Sequence, residues 1–321
     1  MAVGTATAGQ TSQRARVLAF ATLVLANVLW AGTYSAGKIA LRELSPITLN
    51  ALRFLIAAVV LSPVLIRQVR RIPRDRRSLL VLGQLVLLGF VLNKIFEYFG
   101  LALSTASDVA LLIATESLFT ALLSWTFLRE PVTRTGLAAL GVGLAGVYLI
   151  VERGFIPNLG DGGGSERIVG DLLVVLALLM EAAYTVRGKQ TLNALPPLLF
   201  TSVTIAGSLL FWMPAGAIAV ASSGWPHLSV AGWLAVLYMA LVATVAGYWL
   251  WFRALNVVDA SVAAPALFIQ PLLGAALAIW LLNDSLTWAT VLGGILIVAS
   301  LILVMRKSRT VREVVAEESV P

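Results

Sequence analysis

Residues 107–131 read SDVALLIATESLFTALLSWTFLREP, an apolar stretch with a carboxylate, Glu116, near its centre. About 20 apolar residues in a helix cross the hydrocarbon core of a bilayer. An ionised side chain at that depth costs about 3 kcal/mol on insertion scales, so a mid-span acid faces a cavity, a partner or a pathway. The stretch returns at residues 261–285 as SVAAPALFIQPLLGAALAIWLLNDS, with Gln270 where Glu116 stood. A membrane-embedded chain built from two related halves is the first expectation.

Composition agrees. The 321 residues are 59% hydrophobic and only 12% charged, and the mean hydropathy is +0.92. A soluble domain has roughly one quarter charged residues. With no cysteine and a single histidine, His227, neither a zinc-thiolate site nor a His-based triad has its parts, and no metal or cofactor is expected. No Walker motif is present to bind a nucleotide.

Hydropathy predicts an all-α integral membrane fold of ten transmembrane helices: 17–37, 46–66, 79–99, 107–127, 134–151, 169–188, 197–217, 231–252, 262–282 and 288–305. Residues 1–16 form an N-terminal tail, 17–151 a first five-helix repeat, 152–168 a linker carrying GDGGGS, 169–305 a second five-helix repeat, and 306–321 a C-terminal tail. Of the 23 Lys and Arg, only Lys38, Arg42, Arg153 and Arg167 fall on segments that are outside if the N-terminus is inside, and Arg53 and Lys94 lie within spans. All the others are inside. The expected topology is a multi-pass plasma-membrane protein with both termini cytoplasmic. That distribution explains the net charge of +7 without a nucleic-acid partner, and the arginines at 67–77 suit anionic lipid.

The halves keep register. Gly37-Lys38-x-Ala40-Leu41-x-x-Leu44-x-Pro46 recurs 151 residues later as Gly188-Lys189-x-Thr191-Leu192-x-x-Leu195-x-Pro197, and Ala102-Leu103 returns as Ala254-Leu255. Five spans per repeat is an odd number, so the second copy enters the membrane from the other side. Inverted repeats of this kind build alternating-access carriers.

Trp30-Ala31-Gly32-Thr33-Tyr34 followed by Lys38, Ser45-Pro46-x-x-Leu49-x-x-Leu52-Arg53-Phe54-Leu55-Ile56-Ala57-Ala58, Phe119-Thr120-Ala121-Leu122-Leu123, and Glu130 before the fifth helix carry a family likeness. With these motifs the chain resembles the EamA-type drug/metabolite transporters from about residue 17 to 305. The resemblance implies export of small metabolites, often amino acids or their derivatives, through a central cavity lined by helices one, three, four, six, eight and nine. One departure stands out: the proline often found in the fourth helix is Ser117 here, whereas its ninth-helix counterpart, Pro271, is present.

Asn27, Glu116, Glu181 and Gln270 fall near mid-span on helices one, four, six and nine, the depth at which carriers of this build place substrates. Glu116 and Glu181 are the candidate proton sites. Tyr184 follows Glu181 by three residues and shares its face; Lys94 and Glu97 likewise share a face and can neutralise one another. Trp30, Tyr34, Tyr98, Tyr184, Tyr248 and Trp249 are expected to offer rings to a substrate. Arg53 is expected to snorkel to an interface. Trp125, Trp212, Trp225, Trp280 and Trp288 read as an interfacial belt. Glycines 136, 141, 143 and 146 are expected to let helices approach closely.

Together these features predict a non-enzymatic secondary transporter for small amphipathic metabolites, working by alternating access with protons as a candidate coupling ion. Its partners are a small-molecule substrate and lipid, and a homo-oligomer is left open. A channel-like facilitator or a multidrug exporter of the same fold would share every feature. An intramembrane enzyme would need a nucleophile and base or metal ligands that the spans do not supply.

Overall fold

The computed structural model describes residues 5–113, 115, 116, 119, 120, 123, 134–152, 164–192, 194–257, 269–300 and 302. Every regular element among them is helical, as lipid demands of a chain that must satisfy its own backbone polar groups. In chain order these are α1 (Leu18–Leu41), α2 (Pro46–Arg71), α3 (Arg76–Leu103), α4 (Ala106–Leu112), α5 (Arg134–Glu152), α6 (Ser165–Gly188), α7 (Pro197–Ser223), α8 (Val230–Leu255), α9 (Ile269–Leu282) and α10 (Trp288–Ser300). Six of them, α1 to α3 and α6 to α8, are long and apolar enough to cross a membrane. Of the other four, α5, α9 and α10 hold shorter apolar helices and α4 is a seven-residue helix, so among the described residues the expected ten spans are seen in part. The helix of α6 already begins at Gly164, inside the stretch read as linker.

Local sequence sets where helices start. The side-chain oxygens of Ser45, Asp75, Thr105 and Ser229 accept from the backbone N–H three residues on, at Thr48, Ser78, Asp108 and Gly232, and so cap α2, α3, α4 and α8. Pro46 and Pro197 open α2 and α7 at positions where a missing N–H costs nothing.

Helices pack across the halves: α1 on α8, α2 on α7, α3 on α6, and α4 on α9. α5 meets α10 where Gly146 faces Gly293. The outward faces are apolar, with Leu210 and Ile218 among the most exposed side chains. One buried cluster gathers Phe54, Phe90, Tyr184, Phe200, Trp212, Trp251 and Phe252. A second gathers Tyr34, Leu49, Tyr98, Leu101, Val109, Val236, Met239 and Ile297.

Two features repeat between the halves. Pro63 lies within α2 and Pro214 within α7. The middle of α3, Leu87–Leu92, and the middle of α8, Tyr238–Gly247, are wound as π-helix, and the two segments begin 151 residues apart.

Trp212 departs from the belt reading. It is buried, and its indole Nε1–H donates to the Phe90 carbonyl at 2.7 Å. Trp225, Trp280 and Trp288 are exposed; Trp125 lies outside the described residues.

Candidate functional site

A cavity of about 60 Å³ lies in the middle of the bundle, lined from both halves. α1 gives Trp30, Thr33 and Tyr34; α2 gives Arg53; α3 gives Asn93, Lys94 and Glu97. Glu116, beyond α4, closes one wall, while α6 gives Ala177, Leu178, Glu181 and Thr185, α8 gives Tyr248 and Trp251, and α9 gives Gln270. About 10–15 Å³ of such space holds one water, so the site is narrow, with room for a few waters. A larger molecule enters only if the walls part.

The charges are arranged around Lys94. Its ammonium lies 2.5 Å from Glu97 Oε2 and 3.7 Å from Glu181 Oε2. The Tyr248 hydroxyl donates to Glu181 Oε1 at 3.3 Å. The spacing of three between Lys94 and Glu97 places both on one helical face, which is why the pair was legible. Glu116 is 7% exposed, and among the described residues no cation lies within ion-pair distance of it. With two cations, Arg53 and Lys94, against three acids, Glu97, Glu116 and Glu181, the wall carries one surplus carboxyl group. Such a site suits a proton or the ammonium group of a substrate, with the rings of Trp30, Tyr34, Tyr248 and Trp251 beside it.

Gln270 donates from Nε2 to Asn27 Oδ1 at 2.7 Å, and Asn27 donates to the Leu23 carbonyl. These two mid-span amides, from opposite halves, thus satisfy one another, with Gln270 on the cavity wall and Asn27 behind it. Trp30 donates to the Ala243 carbonyl at 2.8 Å.

Besides Asn27, three residues expected at the cavity stand elsewhere. Tyr184 is buried among Phe90, Phe200, Phe252 and Tyr248 and covers Gly89. Three residues along a helix turn a side chain by about 300°, and that offset of about 60° carries the phenol from the Glu181 wall into the aromatic core. Trp249 is half-buried with the Arg253 guanidinium 5.4 Å from its ring centroid. Tyr98 is fully buried behind the wall, where its hydroxyl accepts from Arg53 at 2.5 Å.

Arg53 overturns the snorkelling expectation. It is 2% exposed, lines the cavity, and donates from Nε to Thr244 Oγ1 at 2.6 Å. Its charge inside an apolar run was the available signal. Thr33, Asn93, Ala177, Leu178, Thr185 and Trp251 were not anticipated.

A second polar group ties the halves together at the end of the bundle where α3 passes to α4. Ser104 donates to Asp171, Arg167 lies 2.6 Å from Asp171 and 3.8 Å from Asp108, and Thr290 donates to Asp108 at 3.3 Å. Ser107 bonds Asp284 through both its N–H and its hydroxyl at 3.1 Å.

The EamA-like transporter model matches residues 17–152 and again 168–306. The chain belongs to the EamA-like transporter family. Within it, an uncharacterized transporter of Archaeoglobus fulgidus is 30% identical, over 89% of this chain and 96% of its own length. A probable amino-acid metabolite efflux pump of Salmonella typhimurium is 25% identical, over 87% of this chain and 91% of its own. A solved crystal structure at 21% identity superposes with a TM-score of 0.62, covering 93% of this chain and 99% of that one; it speaks to the fold alone. EamA-like chains are transporters, not enzymes, and this one is a multi-pass membrane protein.

Proposed function

We propose that this EamA-like protein exports small amphipathic metabolites, amino acids or their derivatives, across the plasma membrane by alternating access, with protons coupled through Glu116 or Glu181. The observation that carries the reading is the narrow mid-bundle cavity to which both halves contribute, with Glu97 and Glu181 beside Lys94 and Glu116 on the same wall. A polar site near mid-span between two related halves is where carriers of this build hold their substrates. The Salmonella relative's name supports amino-acid metabolites as the first substrates to try. In this reading the ten helices form two inverted five-helix repeats with both termini inside, and α5, α9, α10 and the helix that carries Glu116 complete the spans.

The test is uptake into proteoliposomes of purified protein, screened over amino acids, nucleosides and cationic drugs with and without a pH gradient. Gradient-driven accumulation of amino acids is expected, and Glu116→Gln should retain downhill exchange while losing accumulation. If Glu116→Gln accumulates substrate like the parent, the same substitution at Glu181 decides whether either acid couples protons. Movement indifferent to any gradient would make the protein a facilitator.

A further inference from the structure

The two π-helical segments are each held by a buried side chain from the second helix of the opposite half. In α8, the Thr244 hydroxyl donates to the Met239 carbonyl, five residues back, at 2.7 Å and accepts from Arg53 of α2 at 2.6 Å. In α3, the Phe90 carbonyl accepts from the Trp212 indole of α7 at 2.7 Å. Arg53, Thr244 and Trp212 are all 2% exposed or less. Neither segment contains a proline to account for its altered winding. A π turn leaves backbone groups out of the ordinary ladder and is frequent at functional sites; in a membrane those groups need a partner from elsewhere. Cavity residues follow each segment directly: Asn93, Lys94 and Glu97 after the first, Tyr248 and Trp251 after the second.

We infer that Arg53 on Thr244 and Trp212 on Phe90 are counterpart catches, positioning residues that hold α8 and α3 in π register and so set which side of the membrane the cavity opens to. This rests on the alternating-access reading above. The relation that exchanges the two halves exchanges the two helix contacts, α2 on α8 for α7 on α3, although different residues make them: the 151-residue offset sets Thr204 opposite Arg53 and Leu61 opposite Trp212. In an inverted repeat it also exchanges the two faces of the membrane. Loosening one catch therefore favours the opposite opening from loosening the other. A part that served stability alone would have no such sign.

Because the chain has no cysteine, Ala177→Cys supplies a reporter on the cavity wall. Its labelling by an impermeant maleimide is measured in right-side-out and inside-out vesicles for the parent, Thr244→Val, Thr244→Ser and Trp212→Phe. The expected result is an outside-to-inside labelling ratio that moves about threefold or more in opposite directions for Thr244→Val and Trp212→Phe, a population shift of modest size. Thr244→Ser, which keeps the hydroxyl, should return to the parent ratio. Shifts in the same direction, or none, overturn the catches and leave alternating access standing. Labelling from one face alone in every variant overturns both. On the unsubstituted protein, amides of 87–92 and 238–247 should exchange hydrogen on the order of tenfold faster than the flanking turns, and slow together when a transported compound is added. Exchange indistinguishable from the flanks overturns the inference even if a variant fails to fold.

Discussion

Gly100 and Gly170 present bare backbone to one another across the α3 and α6 contact: a Cβ on Gly100 would lie 2.6 Å from the Gly170 carbonyl oxygen, and one on Gly170 2.8 Å from that of Gly100. Gly146 and Gly293 do the same where α5 meets α10, at 2.6 Å in each direction. Helices in lipid gain little from the hydrophobic effect and depend on such close approach. Since the obstructing atoms are backbone, no side chain can swing aside. Gly100→Ala and Gly293→Ala should each lower stability by roughly 1–3 kcal/mol, read as an earlier thermal transition in detergent. Gly141→Ala is the control: nothing lies within 4 Å of its position, and alanine there should be neutral or stabilising by about 0.5–1 kcal/mol. Equal effects at all three sites would contradict the close contacts.

Trp251 lines the cavity while Tyr184, of similar burial, lies in the aromatic core. The two should therefore fail differently. Trp251→Ala is expected to change the order of preference among transported substrates. Tyr184→Ala opens a void among Phe90, Phe200 and Phe252 and should cost about 3–5 kcal/mol of stability, with the preference order intact. Competition uptake and thermal melting of the same preparations check both halves of the statement, which a reversed pattern would refute.

What the residues told in advance, and what they withheld, follows from what a one-dimensional pattern carries. Apolar run length gave the long helices, and the Gly-Lys-x-x-Leu echo gave two related halves. Glu116, Glu181, Lys94 and Glu97 stood out because a charge in such a run is costly. Depth along a helix, however, gives height and not direction. Glu181 and Tyr184 share a face loosely enough for one to reach the cavity and the other the core. The distance of Trp212 from a span end suits an interfacial belt, and only the fold shows the Phe90 carbonyl that accepts from its indole. A guanidinium near a span end usually reaches water, whereas Arg53 meets Thr244 and Tyr98 inside the bundle. The ties of Ser104 to Asp171 and of Thr290 to Asp108 join residues from different halves, a pairing no local pattern reveals. The π segments carry no composition signal at all.

The distribution of Lys and Arg gives the protein's sidedness a sign that direct labelling reads. Ala8→Cys and Ser319→Cys should react with an impermeant thiol reagent only after cells are opened, and Gly163→Cys should react in intact cells. The opposite pattern would invert the protein and, with it, the direction assigned to export.

The last prediction concerns Glu43, which sits just beyond α1 and joins the halves at the end of the bundle where Ser107 meets Asp284. Its carboxylate accepts from the Ser229 hydroxyl at 2.6 Å and from the Ser229 backbone N–H at 2.8 Å, while the same hydroxyl caps α8 at Gly232. Those two bonds, the side-chain one first, favour the ionised form and hold the Glu43 carboxyl below its ordinary range. The sign follows from that depression. A group that gives up its proton more readily in the folded state contributes stability above its unfolded value, about 4.3 for glutamate. The contribution disappears as the pH falls through the lower folded value. Glu43→Gln keeps the shape but replaces a charge-assisted bond by a weaker neutral one. The parent should therefore melt at a higher temperature than Glu43→Gln at pH 7, with the gap narrowing below about pH 4 until the two curves meet. A gap that persists unchanged into acid would show that Glu43 acts through shape alone.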